Sequence, residues 1–238
     1  KSAPEFSTPK FISLKDLYKN SPMSFIGSFG IGMIYGASFG LIAVFGAKLG
    51  LSIFQISILV FVNTFIGALF QYPIGKLSDT YDRRIILLIL NIIALVSSIC
   101  LIIFGSFSFN ILLLFVGIHS AVSLPYYAVV ISHLNDFLEK DEVVSASSTL
   151  TLVHALGLVL APILVSGFMS YFDAYGLFYY CTIVYLFLGL FTYQRIRIGR
   201  TSEIYDENTP TMIVPRTTSA IGMQTATEQM ISKIDEKE

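Results

Sequence analysis

Charge is what this sequence has least of. Asp, Glu, Lys and Arg make up 13% of its 238 residues, while 54% are hydrophobic. Soluble domains carry about twice that share of charge, and a soluble chain of this length has enough surface to need it. The scarcity excludes an ordinary water-soluble domain and points to a membrane protein. The formal net charge is -1, and no basic stripe marks a nucleic-acid surface, so nucleic acid is not an expected partner. Cysteine is also scarce. The two present, Cys100 and Cys181, sit inside apolar runs and form neither a disulfide framework nor a metal pattern. No cofactor or metal is expected. The opening "KSAPEFSTPK" is polar and Pro-containing, unlike a signal peptide, and reads as a linker.

What the sequence does have is long apolar runs. A spanning helix needs roughly 20 apolar residues with few or no charges. Six runs qualify, at about 23–47, 54–74, 85–105, 109–132, 144–169 and 175–194, and none contains Asp, Glu, Lys or Arg. This divides the chain into a linker over 1–22, a six-helix transmembrane domain over 23–196 and a polar tail over 197–238, expected to be largely disordered. A short amphipathic helix near 220–234 is weakened by Gly222 and its Thr residues.

The connections alternate in charge. Lys1, Lys10, Lys15, Lys19, Lys76, Arg83, Arg84, Lys140, Arg195, Arg197 and Arg200 fall on one side, and Lys48 alone on the other. Lys and Arg bias sets orientation, so both termini of the segment are expected in the cytoplasm.

The densest charge lies in residues 75–84, "GKLSDTYDRR", between the second and third spans. This decapeptide resembles the loop signature of the major facilitator superfamily of secondary transporters. Gly75, Leu77, Ser78, Asp79, Arg83, Arg84 and Leu87 fit the signature; Thr80 stands where Arg is usual and Asp82 where Gly is usual. Together with "SPMSFIGSFGIGMIYGASFG", "SHLND", "LGLVLAPILVSG" and "VPRTTS", it resembles the C-terminal half of bacterial YcaD-like members. The resemblance implies an all-α membrane protein whose six helices form one half of a twelve-helix fold, related to its partner half by an axis along the membrane normal. It implies a missing N-terminal half, a place in the bacterial inner membrane, and transport of a small solute by alternating access. The fourth span lacks the embedded Arg usual in first halves, which favours the second half. Gly157 and Pro162 resemble the family's Gly-x-x-x-Gly-Pro stretch, with Ala161 in place of the second Gly.

On this reading Gly75, Leu77, Asp79, Arg83 and Arg84 form a cytoplasmic gate. Asp79 is expected to face a helix N-terminus and a nearby Arg, a contact worth roughly 0.3–2 kcal/mol. Polar and aromatic groups inside the spans are the expected solute path. Tyr35 and Phe39 lie one turn apart. Asn63, Gly67 and Gln71 share one face of the second span. His119, Ser123 and Tyr126 share a face of the fourth, beside a kink at Pro125. Thr151 and His154 lie one turn apart on the fifth. With no embedded carboxylate, proton coupling in this segment falls to His119 or His154. Gly32, Gly36 and Gly40 form a smooth stripe for close helix contact, expected to meet the absent half.

Two other classes compete. A rhomboid-type intramembrane serine protease has a six-helix core, and "GASFG" offers Ser38, with His154 as base. That serine stands in the first span rather than a late one, and tryptophan is absent altogether. A non-transporting receptor or assembly protein on the transporter fold is the third class.

Overall fold

The computed structural model describes residues 12–136, 138 and 142–206, with side chains through Ile198. The region expected as a disordered tail beyond residue 206, the amphipathic helix near 220–234, and Lys1, Lys10, Lys140 and the Arg200 side chain lie outside the described residues. Eight α-helices follow one another among the described residues: α1 Leu14–Asn20, α2 Pro22–Ser38, α3 Ile42–Lys48, α4 Ile53–Thr80, α5 Arg83–Phe104, α6 Phe109–Asn135, α7 Val143–Tyr171 and α8 Gly176–Asp206. Five are long and apolar enough to cross a membrane, and six spans result if α2 and α3 count as one span bent by 40°.

The helix ends are written in local chemistry. Ser52 and Gln55 form a reciprocal capping box at the start of α4, and Ser108 caps α6. Each side-chain oxygen satisfies a backbone N–H that the first turn leaves open. Asp82 caps α5 through the Arg84 N–H at 2.9 Å. The Asp that departs from the loop signature therefore starts the next helix.

Two features differ from the sequence reading. The expected linker contains α1, capped by Ser13. Around it the Ile12 N–H donates to Ser145 Oγ and Thr149 Oγ1 donates to the Ile12 carbonyl, both at 2.9 Å, fastening this segment to α7. The first span is broken over residues 39–41, at Phe39-Gly40-Leu41. At the break, Asn63 Nδ2 of α4 donates to the Ser38 carbonyl at 3.2 Å, serving an acceptor at the helix end.

α2 occupies the centre. Gly27 faces Val130 of α6, Gly30 faces Leu188 of α8, and Gly32 and Gly36 face α7. A Cβ on Gly32 would meet the His154 carbonyl, and one on Gly36 the Leu158 carbonyl and Ala161 Cβ. From the other side, a Cβ on Gly157 would meet the backbone of Phe29 and Met33. Pro162 deprives the Leu158 carbonyl of its helical donor, and this is the carbonyl that Gly36 lies against. The glycine stripe is therefore consumed inside the six-helix unit, correcting the expectation that it waits for another half; Gly40 is exposed at the break. Packing without a hydrophobic driving force depends on such close backbone approach.

Connections group at two ends. Arg83 Nε pairs with Asp136 at 2.8 Å, so the 81–82 connection and the end of α6 share one end. Lys48 Nζ donates to the Met169 carbonyl at 3.0 Å, placing residue 48 and the end of α7 at the other. The outer faces of α4 and α7 are apolar and exposed, with Phe54, Phe61, Leu69, Tyr72, Val159 and Ile163 among the most open.

Candidate functional site

Three helices, α2, α6 and α7, bring four rings together. Tyr35 lies edge-on to Phe39 at 5.3 Å and to His154 at 5.0 Å between centroids, and Tyr127 lies over His154 at 4.3 Å with an interplanar angle of 32°. The four side chains are half-buried and Thr151 beside them is exposed. Tyr127 and Thr151 share a hydroxyl hydrogen bond at 3.1 Å. The Tyr35 hydroxyl donates to the Leu124 carbonyl, just before Pro125. His154 Nδ1 lies 3.3 Å from the Ser28 carbonyl. The result is an aromatic face with a few fixed polar groups, the usual make-up of a small-molecule site, on spans that carry no Asp, Glu, Lys or Arg.

The other expected path residues lie elsewhere. Asn63 is buried and holds the α2 break; its own carbonyl accepts from Ser120. Gln71 is exposed two turns along α4, so the Asn63–Gln71 face turns from buried to open. His119 is sealed among Phe178 and Tyr185. Its Nδ1 lies 3.4 Å from Ser123 Oγ, which meets the Tyr185 hydroxyl at 2.6 Å. Tyr126 is buried against α5, accepting from Asn91 Nδ2 at 2.9 Å. Among the described buried side chains, His119 Nε2 and Asn91 Oδ1 have no hydrogen-bond partner.

Sequence spacing missed Tyr127. It follows Tyr126 directly, and one residue of helix turns the side chain by about 100°. Tyr126 therefore points into the bundle and Tyr127 onto α7. The neighbouring phenols were the available signal, but helical phase alone does not say which of them faces the path.

At the charged end, Arg83 binds three groups. Its guanidinium contacts Asp79 at 3.1 Å, Asp136 at 2.8 Å and Ser78 Oγ at 3.4 Å. It thus ties the last turn of α4 to the end of α6 from the first residue of α5. The Asp79 side chain is 67% exposed, and the charged partner it meets among the described residues is Arg83. Arg84 turns back on Asp82 at 2.8 Å. Burial pushes the Asp82 carboxyl up, but the hydrogen bonds and charge of Arg84 outweigh this and hold it below the usual aspartate range. A depressed value means that this cap holds above the ordinary aspartate range and fails only as pH falls through the lowered one. Leu77 is exposed, and a Cβ on Gly75 would meet nothing within 4 Å.

Among the described residues, no nucleophile and base come together at Ser38. It is buried, and its hydroxyl faces Cys181 Sγ at 3.8 Å.

The family model of the Major Facilitator Superfamily matches residues 24–219. Among curated proteins, the chain is similar to "Uncharacterized MFS-type transporter YfkF" of Bacillus subtilis (strain 168), at 27% identity over 163 residues. That match covers 68% of this chain and 41% of the relative, so the chain spans less than half of the relative's length.

Proposed function

The chain belongs to the Major Facilitator Superfamily, an integral multi-pass membrane protein, and from that premise we propose that it carries one half of the solute path of an alternating-access secondary transporter. The observation behind this reading is the half-buried face of Tyr35, Phe39, Tyr127 and His154. It is aromatic, hydrogen-bonding and open, on otherwise uncharged spans, where polar groups mark transport paths by default. The solute is small, and the path residues act by binding rather than by catalysis.

The finer assignment follows the sequence. The six spans are the C-terminal half of a twelve-helix unit of the YcaD-like bacterial branch, with the inner membrane as its site and both ends of the segment cytoplasmic. The open apolar faces of α4 and α7 support a second half beside this one, since both lie on the outside of the unit. The Arg83 cluster is the cytoplasmic gate of that half.

Flux and sidedness test the proposal together. In the full-length protein with Cys100 and Cys181 replaced, a cysteine at Lys76 is expected to label only from the cytoplasm and one at Ser108 only from outside. Labelling of Ser108 from inside overturns the orientation. Reconstituted vesicles are expected to move a solute from a labelled panel of amino acids, sugars and organic cations, with uptake falling about tenfold or more in Tyr127→Leu, the effect of losing roughly 1.4 kcal/mol of binding. Unchanged uptake removes the aromatic face from the path. Ser38→Ala is expected to leave flux unchanged, because no base among the described residues reaches its hydroxyl; a proteolytic activity that this variant loses revives the protease class.

A further inference from the structure

We propose that His154 is a proton-binding site, taking up and releasing a proton at Nε2 on the open aromatic face; the proposal rests on the transporter reading and adds a coupling ion to it.

The geometry of one hydrogen bond fixes the chemistry. His154 Nδ1 faces the Ser28 carbonyl at 3.3 Å, and a carbonyl oxygen can only accept. The neutral ring therefore carries its hydrogen on Nδ1, and Nε2 holds the free lone pair. Among the described residues Nε2 has no hydrogen-bond partner and, unlike His119 Nε2, is not among the buried atoms left without one. A proton from water on the open face adds to the Nε2 lone pair and gives an imidazolium, with the Nδ1–H···O=C bond intact and strengthened by the charge. Release reverses the same step, and no other group changes its bonding.

The surroundings suit the charged ring. Tyr127 lies over it at 4.3 Å, and the negative face of a tyrosine ring attracts a cation within about 6 Å. The titratable groups facing His154 are Tyr35 from α2 and Tyr127 from α6. None of α2, α6 or α7 carries Asp, Glu, Lys or Arg, so no fixed charge on these three helices holds the imidazole in either state. Of the three histidines, His133 is at the charged end and His119 is sealed in the bundle. His154 alone combines mid-span depth with access.

Proton uptake also reaches the helix contact. The His154 carbonyl lies against Gly32 of α2, and its ring nitrogen bonds to Ser28 one turn earlier. A change of charge on this ring therefore acts on the tight α2–α7 seam.

Nitrogen-15 NMR of histidine-labelled full-length protein in lipid bilayers reads the site directly, with His119→Gln and His133→Gln assigning the signals. The expected result is a neutral His154 with its hydrogen on Nδ1 at high pH, converting to an imidazolium as the pH is lowered. A hydrogen on Nε2 at high pH, or no imidazolium down to pH 5, overturns the proposal. A second measurement uses vesicles holding a trapped pH dye and the same panel of amino acids, sugars and organic cations. Solute-driven proton movement is expected to fall to the leak rate in His154→Gln while solute exchange persists; full proton movement in that variant overturns the proposal. If the wild-type protein moves no solute but the NMR result holds, the proton site stands and the transport reading fails.

Discussion

Gly157→Leu is expected to separate α2 from α7 and to lower stability by roughly 3 kcal/mol or more. The seam is built on backbone contact. A Cβ at Gly157 meets the Phe29 carbonyl and the Met33 N–H, and a Cβ at Gly32 or Gly36 meets a carbonyl of α7. Backbone cannot swing aside as the end of a flexible side chain can, so the helices must part. Parting them also draws His154 from the Ser28 carbonyl and Thr149 from Ile12. Gly75→Ala and Gly167→Ala are the controls. Nothing lies within 4 Å of either added Cβ, and an alanine favours the helix by about 0.5–1 kcal/mol. Unfolding of the purified protein in graded SDS, followed by circular dichroism, checks all three. A Gly157→Leu protein as stable as the wild type removes the seam from the account.

If the charged end is the proposed cytoplasmic gate, Arg83→Gln is expected to open it more than Asp79→Asn does. Arg83 touches Asp79, Asp136 and Ser78, whereas Asp79 loses one ion pair with an exposed carboxylate. Exposed pairs are each worth about 0.2–1 kcal/mol. The Asp79 change is therefore expected to shift the open population by about five-fold at most, and the Arg83 change by roughly two- to thirty-fold, if its two pairs add. A cysteine at the exposed Leu77 position, labelled from the cytoplasmic side of the full-length protein, reads this shift. Equal labelling rates in all three proteins reduce the cluster to a loop anchor. A larger effect from Asp79→Asn than from Arg83→Gln moves the gate onto a contact of Asp79 outside the described residues.

Much of the chain could be read before folding. Six apolar runs without a formal charge require membrane-spanning helices, because lipid leaves backbone groups no other partner. Ser52, Asp82 and Ser108 mark helix starts by a chemistry that acts over three residues. Gly75 through Arg84 marked the family by local order alone.

What was not legible depends on partners distant in the chain. The break over residues 39–41 holds where Asn63 reaches the Ser38 carbonyl from 25 residues away; composition showed only one continuous apolar run. The α1 segment is fastened across more than 130 residues by Ser145 and Thr149. Glycine spacing announced close packing but not its direction, since a stripe has no sign until a second helix arrives; α7 met it with Gly157.

The site divides in the same way. The sequence by itself determined that the spans are uncharged and that only histidines, phenols and two thiols can titrate within them, because that follows from which side chains are present. Only the tertiary structure decided which of these groups face one another. Helical phase sent Tyr126 and His119 inward to α5 and α8 and Tyr127 outward to α7. The carbonyl of Ser28, 126 residues from His154, chose the nitrogen that carries its hydrogen. That choice needs two helices in contact, and no local pattern contains it.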